Sequence, residues 1–456
     1  MQRRATTLGS VALAVLAPLA LPGVALGQNV APSAAPIAVP MTPAPGSQAA
    51  GGSGLRFEDA VQLALTRNER AKISDLNVVV ADAAVEKART GFLPLLTFNG
   101  NDTGTGVLAP NQPRLVANGS LVLTQPILNA SAYPLYAQAK ALADAQRSQN
   151  IDDKRLLAFS AANAFFTVLT NSAVVNAAQR QLDNAQANLN DTQARADAQL
   201  TSSNDVTRAK VDLTGSSREL ESEKGQLESS YIQLAFLINA PVTGPLTSPD
   251  AALAAAQHVP GANDGLVRFA LDHRPDVLTD KYASAAAHHF ASEPLLRLVP
   301  TVALTGTATG TSNPPTSTKV WNQETLAATL SWTLYDAGSR YADKHSRDAQ
   351  AQIADLNLQE LARNVDAQVR GAVALLGAAQ AEFQVAGQAR DAARQSVDET
   401  AILYRQGLAK AIELVDASDS RFTAEVNYAE AQYAMAVAYL NLRQAMGLDP
   451  LGTELK

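Results

Sequence analysis

Residues 325–338 read TLAATLSWTLYDAG, and apolar side chains (Leu326, Ala328, Leu330, Trp332 and Leu334) occupy every second position. The residues between them are threonine, alanine or serine, without charge. An apolar face opposite a small, uncharged polar face is typical of a β-strand that has lipid on one side and water on the other. Residues 325–334 are therefore predicted to form a strand, followed at Gly338 by a long helix.

Three further segments show the same alternation, at about residues 96–101, 116–127 and 301–309. Loops rich in proline, asparagine and serine, at 109–114 and 312–319, separate the two members of each pair. Trp321 and Trp332 bracket the fourth strand, where tryptophans at the two membrane interfaces are common. A pair of soluble hairpins packed on helices would show a similar alternation, and because short alternating strands are common, the strand pattern alone favours that soluble alternative.

The chain repeats itself at a distance of 206 to 208 residues, which indicates a duplicated unit. Corresponding positions are Ala64 and Ala270, Pro94 and Pro300, Asp205 and Glu413, and Asn239 and Gly447. The predicted domains are a signal peptide at 1–27, a Pro/Ala/Gly-rich leader or linker at 28–54, a first repeat at 55–240, a linker at 241–262, a second repeat at 263–448 and a tail at 449–456. Each repeat is predicted to contain a helix, two strands, one very long helix, a break and a second long helix.

The long helices are predicted from hydrophobic residues that recur at a step of seven, which is typical of coiled-coil packing. The heptad positions are Ala161, Val168, Val175, Leu182, Leu189 and Ala196, then Val206, Leu213, Leu220, Leu227 and Leu234, and in the second repeat Val369, Leu376, Phe383, Val397 and Tyr404, with Arg390 interrupting. Helices over about 131–198 and 338–406 would each be on the order of 100 Å long. The breaks that follow are predicted hairpin tips, with Ser203 or Asn204 capping the next helix.

Composition excludes several classes of protein. The chain has 456 residues, 5% aromatic residues, a formal net charge of −7 and no cysteine. Disulfides, zinc–thiolate sites and thiol nucleophiles are excluded, and an acidic exported chain is a poor candidate for nucleic-acid binding. Arg3-Arg4, an apolar stretch from Val11 to Val24 and a small-residue cleavage site predict a secretory signal, without a cysteine for lipidation.

The mature chain has no run of eighteen apolar residues, so no transmembrane helix is predicted. We find no phosphate loop and no catalytic or metal-binding constellation, and we predict no enzyme activity and no cofactor. Four strands are too few to close a membrane barrel, whose smallest known form has eight, and open sheet edges are not tolerated in lipid. If the strands span a membrane, several copies of the chain must pool them.

With these features, about residues 55–448 resemble the TolC-like outer membrane factor family. The resemblance depends on the duplicated layout, on the prolines before the strands, on Leu334-Tyr335-Asp336-Ala337-Gly338 and on Tyr404-Arg405-Gln406-Gly407-Leu408. It implies a mainly α-helical homotrimer, with a twelve-stranded transmembrane β-barrel in outer-membrane lipid and a coiled-coil periplasmic tunnel. It also implies a passive conduit for efflux or type I secretion, docked to a membrane-fusion adaptor and an inner-membrane pump of the RND, ABC or MFS type.

The resemblance further implies roles for particular residues. Glu413 and Asp416 match an acidic pair that forms a cation-selective ring in the pore, although two carboxylates near a helix N-terminus could simply stabilise the helix dipole. Tyr404 and Asp205 match two residues of the closed gate, whereas Ala409 occupies the position of the family's arginine, for which Lys410 or Arg405 could substitute. The predicted adaptor-docking tips are Leu200, Thr201, Ser202, Gly407, Leu408 and Ala409.

Gln199 replaces the usual glycine of the first tip. The alternative function, from a different class, is a trimeric coiled-coil envelope protein such as an adhesin stalk. That alternative explains the signal, the heptads and the alanine content, but it does not explain four alternating strands in matched pairs.

Overall fold

The computed structural model describes residues 54–104, 115–242, 244–258, 263–311 and 322–452. The predicted signal peptide, most of the leader, the two strand loops, Trp321 and the last four residues lie outside the described residues. The helices are α1 (Phe57–Arg67), α2 (Glu69–Arg89), α3 (Ala132–Asp197), α4 (Ser203–Ile238), α5 (Asp250–Ala256), α6 (Asn263–His273), α7 (Pro275–Leu296), α8 (Ser339–Arg405) and α9 (Ala411–Ala445). The strands are β1 (Leu95–Gly104), β2 (Leu115–Leu128), β3 (Thr301–Thr311) and β4 (Asn322–Ser331).

The duplication predicted from the sequence is also visible in the contacts. The helix before each strand pair is broken once, at Asn68 and at Arg274, which are 206 residues apart. Asn68 Nδ2 donates to the carbonyl of Leu237 at 2.8 Å, and Arg274 Nη1 donates to the carbonyl of Ala445 at 3.0 Å. The two acceptors are 208 residues apart and lie at the ends of α4 and α9. Both repeats therefore use the same contact to fix the short helices to the long ones.

The strands form one antiparallel sheet in the order β1-β2-β3-β4. One face is apolar across β1, β2 and β3, since Phe98 pairs with Leu121 and Leu121 with Ala308, and Ala308 in turn pairs with Glu324 on β4. Phe98 is 73% exposed and Leu326 is 75% exposed, so this face is open to the surroundings of the chain. The opposite face carries Thr97, Val122, Thr307 and Thr325 in one row, then Asn99, Ser120, Thr309 and Gln323 in the next. The predicted contrast between the two faces is confirmed.

The fourth strand is shorter than predicted. β4 ends at Ser331, and Trp332 and Leu334 follow it instead of continuing the alternation. The indole Nε1 of Trp332 donates to the carbonyl of Leu298 at 2.9 Å, just after α7. This bond turns the chain toward the helices before α8 begins.

The long helices α3 and α8 contain 66 and 67 residues and agree with the predicted bounds to within one residue. Every heptad position of both repeats is buried or half-buried. At the interrupting Arg390 the guanidinium carbon lies 3.9 Å from the centroid of the Tyr428 ring, on α9. A cation–π contact therefore occupies the place that an apolar side chain takes elsewhere in the pattern.

Two hydrophobic clusters hold the middle of the helices. The first joins α1, α3, α4, α5 and α9, and its largest buried side chains are Phe57, Phe159, Phe165, Phe166, Leu234 and Ile238. The second joins α5, α6, α7, α8 and α9, and includes Ala256, Val267, Val277, Val365, Val369, Leu376 and Met435. Because α9 contributes to both clusters, it joins the two repeats into one packed body. Part of the predicted linker at 241–262 also enters this body, as α5.

One described helix, α3, contains an eighteen-residue window apolar enough to cross a membrane, and half of that window is buried inside the protein. The α3 residues Ala158, Phe159, Phe165 and Phe166 lie in the first hydrophobic cluster. We interpret the apolar content of α3 as the core-facing side of a bundle helix.

Two glycines with positive φ, Gly407 and Gly447, lie just after the ends of α8 and α9 and differ in the space around them. A Cβ on Gly447 (φ 82°) would lie 2.9 Å from Cγ and 3.0 Å from Cα of Arg274, whereas a Cβ on Gly407 (φ 77°) would have open space around it. We expect Gly407→Ala to lower the free energy of unfolding by about 1 kcal/mol, the usual cost of a left-handed non-glycine residue. Gly447→Ala should cost at least twice as much, because it also displaces Arg274. Urea unfolding of the two variants tests this, and equal losses would contradict the packing described.

Candidate functional site at the helical tips

The two helix hairpins end in turns of the same design. After α3, Leu200 N–H donates to Arg195 O at 2.8 Å, and after α8, Leu408 N–H donates to Leu403 O at 2.9 Å. In each case the residue before the leucine is left-handed, with φ 61° at Gln199 and 77° at Gly407. This arrangement is the Schellman motif that ends many helices. Although it is not glycine, Gln199 adopts the conformation that the motif requires.

The predicted docking leucines point away from the bundle. Leu200 is 78% exposed and Leu408 is 73% exposed. Apolar side chains this exposed at the ends of two adjacent turns form a surface suited to a protein partner. The roles of these leucines and of Thr201, Ser202, Gly407 and Ala409 remain predictions.

The cap of α4 is one residue earlier than predicted. Ser202, and neither Ser203 nor Asn204, accepts from the N–H of Asn204 at 3.1 Å and forms a capping box with Asp205. The Asp205 carboxylate accepts from Thr201 Oγ1 at 2.6 Å and from Ser202 N–H at 3.3 Å. The bonds described for Asp205 are therefore all within its own turn.

Tyr404 lies away from these bonds, 5% exposed at the end of α8. Its hydroxyl is 3.4 Å from Thr192 Oγ1 on α3. The two predicted gate residues therefore have different partners. Tyr404 lies beside Thr192 on α3, whereas Asp205 accepts from Thr201 and Ser202 in its own turn.

A residue that the sequence did not single out, Arg195, connects the two tips. From the last turns of α3, its Nη1 donates to Tyr404 O at 3.1 Å and its Nη2 to Arg405 O at 3.5 Å. The guanidinium carbon also lies 4.4 Å from the centroid of the Tyr404 ring. No spacing pattern could have identified this residue, because its partners are more than 200 positions away.

The predicted acidic pair, Glu413 and Asp416, lies exposed on the first turns of α9. One turn further on, burial raises the pKa of the Asp419 carboxyl and the nearby charge of Asp416 raises it further. Burial likewise raises the pKa of Asp212 on α4, and the charge of Asp419 adds to that shift. Asp416 therefore belongs to an acidic group that also includes Asp212 and Asp419.

A cavity of about 250 Å³ lies between α3, α4, α8 and α9, directly behind Tyr404. Its wall includes Asn188, Asp212, Val415 and Ser418. Within the described ranges, no three or more histidine or acidic side chains are grouped so that they could hold a metal ion.

Comparison with known proteins identifies the same architecture elsewhere. The family model of the outer membrane efflux protein matches residues 266–448. Outer membrane protein TolC of Salmonella enteritidis is 23% identical over 392 residues, which cover 80% of this chain and 77% of TolC.

Solved structures of outer-membrane channels share the fold. CusC superposes with a TM-score of 0.76 at 17% identity, covering 86% of this chain and 92% of CusC. The open state of MtrE from Neisseria gonorrhoeae has a TM-score of 0.73 at 18% identity, with 86% and 89% covered. VceC from Vibrio cholerae has a TM-score of 0.72 at 16% identity, with 86% and 96% covered.

The acidic group is expected to make the stability of the folded protein depend on pH. Because the folded-state pKa of Asp212 is raised, the folded protein loses stability as this group ionises above its ordinary pKa of about 4. Asp212→Asn should therefore raise the melting temperature at pH 7, on the order of 1–3 °C, and the gain should vanish as the pH falls below about 4.

Asp75 on α2 serves as a control, because its substitution is expected to change the melting temperature in the opposite direction. The hydrogen bonds from Lys154 and Asn150 lower the pKa of its carboxyl. Asp75→Asn should lower the melting temperature at pH 7, with the difference again lost in acid. If Asp212→Asn also lowers the melting temperature at pH 7, the carboxyl is not destabilised by its surroundings.

Proposed function

We propose that the chain is a member of the outer membrane efflux protein family, whose model matches residues 266–448, and that three copies form a passive export channel that docks to a periplasmic adaptor and an inner-membrane pump. This membership would place the protein in the outer membrane with a periplasmic extension. The observation that carries the proposal is the four-stranded sheet, which has one exposed apolar face and continues into helices about 100 Å long.

The apolar face is suited to lipid. Leucine, phenylalanine and small residues cover most of it, although Glu324 on β4 lies in the row of Phe98. Phe98 lies across Gly100 and Gly119, within 3.5 Å of where their Cβ atoms would be. The opposite face carries threonine, asparagine and serine, which suit a water-filled interior. This alternation is the pattern of outer-membrane strands.

The edges of the sheet require further strands. Among the described strands, β1 and β4 pair on one side only. In lipid an unpaired edge leaves its backbone groups without hydrogen bonds, at a cost of several kcal/mol for each group. Since four antiparallel strands alternate in direction, β4 of one copy can pair antiparallel with β1 of the next. Three copies then close a barrel of twelve strands.

Exposed apolar side chains on the helices also favour assembly. Ile73, Leu76 and Val80 form a stripe along α2, and Ile353 and Leu356 form another on α8. Stripes of this kind on two different faces suit head-to-tail packing of copies around an axis. A monomer would leave both stripes in water.

In this assembly the tips would form the periplasmic entrance. Glu413 and Asp416 from three copies would give six carboxylates around one axis, which favours cations in the pore. The exposed Leu200 and Leu408 would be the apolar anchors for an adaptor. The pump would be of the RND, ABC or MFS type. The alternative of an adhesin stalk has no use for an apolar sheet face, and we favour the channel for that reason.

The acidic ring is tested by single-channel recording of the purified protein in planar bilayers. The wild type should give discrete, cation-selective steps, and Glu413→Ala with Asp416→Ala should lower the cation-to-anion permeability ratio severalfold. A double variant that keeps both charges, Glu413→Asp with Asp416→Glu, is the matched control and should stay selective. Unchanged selectivity in the alanine variant would remove the ring assignment.

The docking surface is tested by photo-crosslinking from position 201 to a co-expressed membrane-fusion adaptor. Leu408→Asp should abolish the crosslink because it puts a charge at an apolar contact, whereas Leu408→Met should retain it. Crosslinking that persists in the aspartate variant would place the docking site elsewhere.

A further inference from the structure

We propose that Arg89 and Lys140 form a binding site for the phosphate group of an anionic phospholipid, on the helix side of the membrane. The inference rests on the proposed placement of the sheet in lipid, and it goes beyond the channel function by naming a lipid partner. Arg89 is the last residue of α2, and Lys140 lies in the third turn of α3, so both are close to the sheet.

A ladder of charged side chains joins α2 to α3. Asp75 accepts from Lys154 Nζ at 2.6 Å, and Asp82 accepts from Arg147 Nη2 at 2.5 Å. The two helices run antiparallel, so seven residues forward on α2 correspond to seven residues back on α3. Each pair of facing positions is a rung of this ladder, and the first two rungs are each an acid facing a base.

The third rung contains two cations. Seven residues after Asp82 comes Arg89, and seven residues before Arg147 comes Lys140. Both side chains are exposed, and among the residues that the structure describes neither has a hydrogen-bonding or ion-pair partner. Two like charges at facing positions repel each other. An anion held between them would remove this repulsion.

The acidic side chains one turn away do not neutralise the third rung. Asp144 follows Lys140 by one turn, but it accepts from Arg147 Nη1 at 2.5 Å. Glu86 precedes Arg89 by one turn and is exposed, and the Arg89 guanidinium makes no ion pair with it. The counter-charge of this rung is therefore left to a ligand.

The side chains beyond the third rung follow the change in polarity at a membrane surface. Tyr133 lies seven residues before Lys140, is 62% exposed, and has its ring centroid 4.8 Å from that of Phe92. Leu95 and Leu96, which begin β1, are 63% and 59% exposed. From the helices toward the sheet, the order is ion pairs, two cations, an exposed tyrosine and apolar side chains. Basic and tyrosine side chains at such a boundary are typical of the headgroup layer.

The third rung also lies at a suitable depth. The headgroup layer is roughly 5–8 Å thick on each side of the hydrocarbon core. Arg89 precedes Phe92 by three residues, which is on the order of 5 Å along a helix, and its long side chain can extend further toward the boundary. The guanidinium is therefore at the level of lipid phosphates.

The second repeat does not reproduce this rung. Leu295 corresponds to Arg89, 206 residues later, and Asp348 corresponds to Lys140, 208 residues later. Asp348 accepts from Lys344 in its own helix. The two cations are therefore a feature of the first repeat, and each chain has one site of this kind.

The third rung stays open in the proposed assembly. Asp75, Asp82 and Arg89 follow one another along one side of α2 at steps of seven. Ile73 and Val80, which belong to the stripe proposed to pack against another copy, lie two residues before Asp75 and Asp82, about 200° away around the helix. A neighbouring copy would therefore cover the other side of α2.

The test is lipid retention, measured by native mass spectrometry of the detergent-solubilised protein with added phosphatidylglycerol or phosphatidylcholine of the same acyl chains. The wild type should retain phosphatidylglycerol preferentially. Arg89→Gln and Lys140→Gln should each lower this retention about fivefold, the usual effect of one basic side chain near an anionic lipid surface. Glutamine variants that retain as much phosphatidylglycerol as the wild type would overturn the site.

Lys87→Gln is the matched control. Lys87 is exposed in the same last turn of α2, but it lies about 200° from Arg89 around the helix. Its loss should leave the retention of phosphatidylglycerol unchanged. An equal loss in Lys87→Gln and Arg89→Gln would show that general surface charge attracts the lipid, and the site would be overturned.

Arg89→Asp separates lipid binding from folding. The aspartate gives the third rung the acid and base of the other two, so the melting temperature in lipid-free detergent should not fall, whereas the preference for phosphatidylglycerol should disappear. A stable Arg89→Asp protein that keeps the preference would contradict the site. Inorganic phosphate should not displace the lipid, and complete displacement by it would identify a site for a free anion instead.

Single-channel recording of the same preparations separates the lipid site from the channel. If the wild type selects phosphatidylglycerol but does not conduct in planar bilayers, the channel proposal fails and the lipid site stands. If the wild type conducts and both glutamine variants retain the lipid as it does, the lipid site fails and the channel proposal stands.

Discussion

Backbone hydrogen bonding at the edges of the sheet is the constraint on which the rest of the molecule depends. The four strands satisfy one another internally, but β1 and β4 each present a row of N–H and C=O groups on their outer side. Water would satisfy these groups on a soluble protein, and then the exposed apolar face would have no explanation. Lipid explains that face but leaves the edges unsatisfied in a single chain. In the proposed assembly, closure with other copies resolves both conditions and sets the rotational arrangement of the helices that continue from the strands.

The duplication supplies two similar hairpins, and small differences between them give the molecule its asymmetry. Asn68 and Arg274 make the same contact, yet Arg274 also forms a buried ion pair with Asp276 and fills the space beside Gly447. Gln199 and Gly407 share one backbone conformation with different side chains. Arg195, in contrast, has no counterpart in the second repeat. The two tips therefore share a backbone conformation but carry different side chains.

The fold was largely predictable because its signals are local and repeated. The heptads fixed the long helices to within one residue, and the alternation identified all four strands. The sequence pattern misplaced the end of β4 and the cap of α4. Hydrogen bonds of Trp332 and Ser202 determine these two positions, and the periodicity of the sequence does not encode those bonds. At the tips, the motifs located the turns that end at Leu200 and Leu408, whereas the docking role of these leucines stays a prediction. Arg195 and the half-buried Asp212 act through partners on other helices, and only the packed structure brings these partners together.

The mass of the detergent-solubilised protein, measured by native mass spectrometry, tests the central claim most directly. If copies of the chain close the sheet, the protein should be recovered as three chains with no stable monomer. Retention of that mass after removal of excess detergent would show that the sheet edges and the apolar stripes are satisfied within the assembly. A well-folded monomer under the same conditions would contradict the account, because its sheet would then have two open edges in an apolar environment.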